Sequence, residues 1–396
     1  METAFFTNNR QRLAELVDGA PIILTAFSAM QRVGDESWRF EQEANFWYLT
    51  GIEAADWQLV IEDGRSTLIA PEVSVVSQIF NEHLSFEAAQ AISGVDRVIS
   101  HDEGVSYLAS LSGGGYDTVC TILPRNQVDY EFILNPTQAR LTAKLKKSFR
   151  QINDIRPTIH QLRAIKQKSE IMMLRRAINL TRSAFEIVKS ELQSYTFEYE
   201  AQARFSYEFE RTGATHAYDP IVAGGANAIT LHYNSNRSGL KQGELVLIDA
   251  AARYGGYSAD ITRTYAFHET TKRQCAVHAA VKQAQGQIID LIQPGISVKQ
   301  YLIDSDKIML QALKSLDLYK TPDDFRRYYP HAVSHGLGVE THDPLGGPET
   351  FQPGMVLTVE PGIYIPEESI GVRLEDDILV TDSGAENLSR GLPNEL

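Results

Sequence analysis

Four carboxylates and one histidine-dense stretch carry the chemistry that this sequence offers. Asp249 ends the apolar run Leu245-Val-Leu-Ile248, and Asp260 follows Tyr257-Ser-Ala259, with Tyr254-Gly-Gly256 between them. Glycines between two strand-like runs predict a hairpin. A two-residue turn at Tyr254-Gly255 pairs Arg253 with Gly256 and, counting outward, Asp249 with Asp260. Directly opposed residues share a face, with Cβ atoms roughly 4.5–5.5 Å apart. Two carboxylates placed there repel unless a cation sits between them. The device recurs near the end of the chain. Glu360 closes Met355-Val-Leu-Thr-Val359, Glu375 follows Gly371-Val-Arg-Leu374, and the two lie symmetrically about Glu367-Glu368. A hairpin centred there sets Glu360 against Glu375.

Between the acid pairs lies Tyr329-Pro-His331-Ala-Val-Ser-His335-Gly-Leu-Gly-Val-Glu-Thr-His342-Asp343, with three of the chain's ten histidines in twelve residues. His232 precedes the first hairpin, in Thr230-Leu-His-Tyr-Asn234. Taken singly, each residue has a plain reading. A lone histidine is usually a hydrogen-bonded core or surface residue, an aspartate at a strand end is usually a cap, and Glu375-Asp-Asp377 reads as a solvated edge. Together they read differently. Four carboxylates with one imidazole form an oxygen-rich set suited to hard divalent ions such as Mn²⁺. Four negative charges offset two such ions, and shared carboxylates can bridge metals about 3.5–4 Å apart, which lowers the pKa of a bridging water. The remaining histidines would polarise a carbonyl and stabilise the oxyanion. The spacing predicts a dinuclear hydrolase.

The rest of the chain must position these groups. At 396 residues it has length for two domains, and its 43% hydrophobic and 22% charged residues are ordinary for a globular protein. A formal charge of −14 argues against nucleic acid as a partner. Cys120 and Cys275 form no CxxC pair, so neither a disulfide framework nor a thiolate zinc site is expected. The N-terminus lacks a basic segment followed by an apolar one, and no apolar run reaches membrane-spanning length, so a cytoplasmic protein with no membrane partner is expected. Residues 1–155 alternate strand-like runs (Pro21–Phe27, Phe46–Thr50, Trp57–Ile61, Ser66–Ala70, Thr118–Leu123) with helical ones, which predicts an α/β domain. No glycine-rich phosphate loop appears there, and no other cofactor-binding motif is expected. Residues 156–396 carry helical patterns from Ser169, at Phe197–Arg211, Lys272–Leu291 and Ser297–Leu316, interleaved with the acid-bearing hairpins, which predicts an α+β domain.

Ile248-Asp-Ala250, Ala259-Asp-Ile-Thr-Arg-Thr264, His335-Gly-Leu-Gly338, Val359-Glu-Pro-Gly-Ile-Tyr364 and Arg373-Leu-Glu-Asp-Asp377 resemble the pita-bread metallopeptidases, the family of methionine aminopeptidase, aminopeptidase P and prolidase. Phe40–Gly51 is similar to the N-terminal domain of aminopeptidase P. The resemblance implies an α/β N-terminal domain followed by an α+β pita-bread (creatinase/aminopeptidase-like) catalytic domain. It further implies two divalent metal ions, Mn²⁺ foremost with Zn²⁺ or Co²⁺ as alternatives, held by Asp249, Asp260, His335, Glu360 and Glu375. Asp260 and Glu375 would bridge the ions, and Glu360 would also shuttle protons. His232 and His342 match positions that meet the substrate carbonyl or the tetrahedral intermediate. His331 matches one where a proline ring sits, and Arg373 and Tyr364 match residues that support the site. The implied partners are peptides with proline at the second position and further copies of the chain, as a homodimer or homotetramer.

Asn45 departs from the pattern, because the Phe-Trp-Tyr segment is commonly preceded by Asp in the family. Phe80 and Trp57 are the candidates for an aromatic lent to a neighbouring subunit's proline pocket. The leading expectation is an Xaa-Pro aminopeptidase. Prolidase, which cleaves only the Xaa-Pro dipeptide, is the alternative, and a catalytically inactive binding or adaptor relative is disfavoured because every ligand position is filled. A serine hydrolase finds no Gly-x-Ser-x-Gly.

Overall fold

Short apolar runs bounded by Gly, Asp and Pro make the first part of the chain a layered sheet. The computed structural model describes residues 1–17, 19–125, 132–347 and 349–396. The chain divides into Met1–Leu162 and Arg163–Leu396. The division falls inside the helix Arg156–Ala164, later than the expected change at 155/156. In the first unit, strands lie in the order Arg97–Ile99, Arg65–Ile69, Gln58–Glu62, Ile22–Thr25, Thr118–Thr121 and Gln151–Asp154. Gln58–Glu62 pairs antiparallel with both neighbours and the other pairings are parallel. Ile22–Thr25 is buried along its whole length, as an apolar strand covered on both faces must be. Ile23, Val60, Val119, Leu141 and Leu145 form the core beneath the helices.

One expected strand is a helix. Phe46–Thr50 belongs to the α-helix Ala44–Thr50, every residue of which is buried. A short run apolar on all sides does not reveal its period, so burial hid the helix. The local chemistry does specify it. The Glu43 carboxylate accepts from the Phe46 N–H at 2.7 Å as an N-cap, and Gly51 closes the helix at φ 69°. Asn45 is buried there and donates to Glu43 at 2.7 Å. Trp57 is also buried and sits edge-on to Phe86, so it is a core residue rather than a donor to a neighbour.

In the second unit two helix pairs each cover a set of antiparallel strands. Lys168–Glu191 and Glu198–Glu210 press Phe185, Val188, Phe205 and Phe209 onto Val222, Val246 and Ile248. Those residues belong to the sheet Ile221–Gly224, Leu245–Asp249, Thr262–Ala266. Lys272–Asp290 and Val298–Ser315 place Val277, Val281, Met309 and Leu313 against Leu357, Val359, Ile363 and Ile378. The carboxylates of interest stand at the strand ends of these two sets. This is the expected α+β pita-bread arrangement.

Gly51 offers a test of the buried helix. A Cβ there would meet the Phe6 ring at 2.5 Å, and its φ of 69° disfavours any L side chain. Gly51→Ala is expected to destabilise the first unit by about 2–4 kcal/mol, from αL strain plus overpacking. The check is a thermal melt, in which an unchanged first transition would contradict the packing.

Candidate metal centre and active site

The first hairpin turns one residue later than its spacing suggests. Gly255 and Gly256 take φ of 58° and 86°, and a tight hairpin turn with both central residues at positive φ suits a Gly pair rather than Tyr254-Gly255. Tyr254 therefore pairs with Tyr257, and Asp249 faces Thr262 rather than Asp260. A shift of two keeps the parity, and diagonal neighbours remain within reach of polar side chains. The acids still converge, because the Tyr218 hydroxyl contacts Asp249 Oδ1 and lies 2.7 Å from Asp260 Oδ1.

The second hairpin keeps the expected register. Gly362 pairs with Arg373 and Val359 with Asp376, so Glu360 and Glu375 occupy opposed positions between the two ladders. Pro361, which has no N–H to give, interrupts the ladder at that point. The Glu375 N–H instead donates to Thr262 O at 3.0 Å, and the Thr262 hydroxyl donates to Glu375 Oε2 at 2.6 Å. These bonds bring the second acid pair beside the first.

All the expected site residues then line one cavity of about 90 Å³: Asp249, Asp260, His335, Glu360, Glu375, His232, His331, His342 and Arg373, with Leu231. A second cavity of about 420 Å³ shares His232, Asp249, Asp260 and His342 with it and extends past Tyr218, Asp219, Asn234 and Thr341. Asp260, His335 and Glu375 each offer a ligand atom within 4.8 Å of the others. His335 Nε2 lies 3.4 Å from Asp260 Oδ2 and 3.4 Å from Glu360 Oε1. Its Nδ1–H faces Gly336 O at 3.0 Å, so Nδ1 keeps its proton and Nε2 is the nitrogen that a cation among the carboxylates would deprotonate and engage.

The electrostatics follow from crowding. Burial pushes the Glu375 carboxyl well up, and Asp260, Glu360 and Asp249 push it further. Burial raises Glu360 to about 7 against the pull of His335 and Arg373. His335 is pushed down by burial, but Asp260 and Glu360 more than offset that and carry it up to about 9. Burial and Arg373 hold His331 at about 4, so its ring is neutral and Nε2 accepts from Tyr364 OH at 2.9 Å. Arg373 is not a plain strand charge. It pairs with Asp249 and donates to Tyr364 OH at 3.0 Å and to Thr262 Oγ1 at 3.1 Å.

Comparison with known proteins identifies the family. The model of metallopeptidase family M24 matches residues 172–382, and that of the aminopeptidase P N-terminal domain matches residues 6–120. The chain belongs to metallopeptidase family M24. It is 32% identical to an Xaa-Pro aminopeptidase of Escherichia coli, over 97% of this chain and 94% of the other. It is also 32% identical to the mouse Xaa-Pro aminopeptidase 3, over 91% of this chain and 76% of that one. Among solved structures, the E. coli aminopeptidase P with the inhibitor Pro-Leu matches at TM-score 0.86 and 30% identity, covering 100% of this chain and 96% of that chain. A proline aminopeptidase P II from Yersinia pestis matches at TM-score 0.84 and 32% identity, covering 100% and 97%.

Membership of the M24 family implies divalent metal ions, and the donor set fits them. Three buried carboxylates and the half-buried Glu360 share one cavity with the His335 imidazole, an arrangement that needs protons or cations between its members. Sequence reasoning passed over Thr262, which holds Glu375 and Arg373, and Tyr218, which bridges both aspartates. A lone tyrosine in the short loop between the strands Thr215–His216 and Ile221–Gly224 carries no spacing signal. Among the described residues no helix is long and apolar enough to cross a membrane.

Protons and metal compete for this site. Glu360 at about 7 and His335 at about 9 hold protons that a cation must displace, so metal affinity rises as pH climbs from about 6 to 9. In the metal-free chain the raised Glu360 stabilises the fold below about pH 4.5, and that contribution is lost as pH rises toward 7. The increase in Tm on adding Mn²⁺ is therefore expected to be larger at pH 8 than at pH 6. An equal or smaller increase at pH 8 would contradict the assignment.

Proposed function

We propose that this chain is an Xaa-Pro aminopeptidase, removing the N-terminal residue from peptides with proline in second place. The observation that carries the reading is the convergence of Asp249, Asp260, His335, Glu360 and Glu375 with three further histidines in one small cavity. Relatives named Xaa-Pro aminopeptidase support the same reading. In it, the five residues hold two divalent ions, Mn²⁺ in preference to Zn²⁺ or Co²⁺ because the donors are mostly carboxylate oxygens. When bound, the ions supply acidity to a water and neutralise charge that develops on the substrate.

The chain's own residues do the rest. Glu360 takes the proton of the attacking water and passes it to the proline nitrogen as the C–N bond breaks. His232 and His342 meet the carbonyl oxygen, where hydrogen bonds strengthen as it becomes an oxyanion. His331, neutral and fixed by Tyr364 OH, lines the side where the proline ring rests. Arg373 holds Asp249 from behind. The free N-terminal residue occupies the 420 Å³ cavity beyond Tyr218.

Metal-dependent cleavage of an Xaa-Pro-Yaa tripeptide, faster than that of the Xaa-Pro dipeptide and abolished by chelator, is the expected result. Preference for the dipeptide would make the chain a prolidase. Asp260→Ala is expected to lose more than about 10³-fold in kcat while remaining folded, as loss of a bridging ligand demands. Full activity in that variant would refute the dinuclear centre.

The reading includes self-assembly. Val75, Val76, Ile79 and Phe80 on the helix Val75–Phe80 are 74%, 66%, 73% and 79% exposed, an apolar surface that a partner copy would cover. Sedimentation as a dimer or tetramer is expected, and a monomer at micromolar concentration would contradict it.

A further inference from the structure

His342 has no hydrogen bond to its ring among the described residues. Its ring contact is with His335, at a centroid separation of 4.2 Å and near perpendicular. The place of its imidazole is therefore set by the backbone that carries it. That backbone is the loop 335–343, which returns on itself. Asp343 N donates to Gly336 O at 2.9 Å, and the two residues form an isolated antiparallel bridge. Both histidines thus stand at the neck of one tight loop.

The neck is held by charge. Asp343 Oδ1 receives Arg163, and Asp343 Oδ2 receives Lys166 Nζ at 3.0 Å, with all three side chains 1% exposed. Arg163 reaches a second acid of the same loop, Glu340, at 2.5 Å, and the Glu340 N–H donates back to Asp343 Oδ1 at 3.3 Å. The loop backbone packs directly on this group. A Cβ at Gly338 would meet Asp343 Oδ2 at 2.5 Å and Lys166 Cε at 3.0 Å, and one at Gly336 would meet Asp343 O at 2.3 Å. Burial pushes the Asp343 carboxyl up, but Arg163 and Lys166 more than offset that and keep it ionised. Two fully buried cations on one carboxylate are more than a capping contact requires. Buried charges are costly unless each is paired, so this group has one low-energy arrangement.

We propose that Arg163, Lys166 and Asp343 are positioning residues that set the place of the His342 imidazole by clamping the neck of its loop. The proposal rests on the reading of His342 as a group that meets the substrate carbonyl. It accounts for the pairing of an exposed, unbonded imidazole with a neighbour buried in ion pairs. The clamp acts on the rate of reaction and leaves metal binding alone, since His335 is held separately: its N–H donates to Thr358 Oγ1 at 3.1 Å and its carbonyl accepts from the Thr358 N–H at 2.9 Å.

The test uses the full Mn²⁺-loaded chain, with Lys166→Met and Asp343→Asn alone and each combined with His342→Ala. Both single variants are expected to bind as much Mn²⁺ as the parent. Their kcat on an Xaa-Pro-Yaa tripeptide should fall about 10- to 100-fold, with KM within about 2-fold, as displacement of a group by about 1 Å predicts. Added to His342→Ala, either change should cost less than about 2-fold more, because residues that act through one group are not additive. Multiplicative losses in the double variants, or unchanged kcat in the singles, would overturn the proposal. Lys166→Met leaves Arg163 on Asp343, so it carries the test if Asp343→Asn does not fold. A crystal structure of Lys166→Met gives a readout independent of activity. The His342 ring should be displaced or spread over several rotamers, and a ring in its parent position would overturn the clamp. If the parent failed to cleave the tripeptide, the functional reading would fall while the crystallographic arm still decided the clamp.

Discussion

Like charges held together out of water are the constraint on which the second unit is built. Asp249, Asp260 and Glu375 are buried, and Glu360 joins them in one cavity with Arg373 and His335 as opposing cations. Two unit charges about 4 Å apart repel by about 4 kcal/mol at an effective dielectric constant of 20. The net stability of a whole domain is only about 5–15 kcal/mol. Several such repulsions cannot stand uncompensated, and the raised carboxyls of Glu360 and Glu375 show the strain being relieved by protons. Divalent cations relieve it more completely. A site that is electrostatically incomplete as a protein is complete as a metalloprotein.

The fold exists to impose that crowding. Each helix pair buries an apolar sheet face, and the acids sit where the strands end. The bonds from Thr262 to Glu375 tie one hairpin to the other, so neither can relax its carboxylates away from the pocket. Arg373 balances Asp249, and Tyr218 fills the space between Asp249 and Asp260. Around this rigid centre the histidines are placed by loops. Those loops are in turn held by buried groups away from the chemistry: Tyr364 on His331, and Arg163 with Lys166 on the neck that carries His342.

Much of this was legible in the sequence, for reasons that differ by element. The Glu360–Glu375 hairpin was readable because its register is symmetric about a turn with a clear centre. The Asp249–Asp260 pairing was misread by two positions, since Tyr254-Gly-Gly256 offers two turn placements and only the backbone signs of Gly255 and Gly256 choose between them. The acids converge all the same, because a shift of two preserves which face each occupies. The long amphipathic helices were plain from their period. Ala44–Thr50 was not, because a fully buried helix and a buried strand present the same apolar run. Tyr218, and the ion pairs from Arg163 and Lys166 to Asp343, join residues 42 and 177–180 positions apart, and no local pattern announces such contacts.

The central claim is that these carboxylates with His335 enclose two metal ions. Anomalous diffraction from crystals grown with Mn²⁺, collected on either side of the manganese edge, tests it most directly. Two peaks per chain inside the cavity bounded by Asp249, Asp260, His335, Glu360 and Glu375 are the predicted result. A single peak, or peaks confined to the protein surface, would contradict the account.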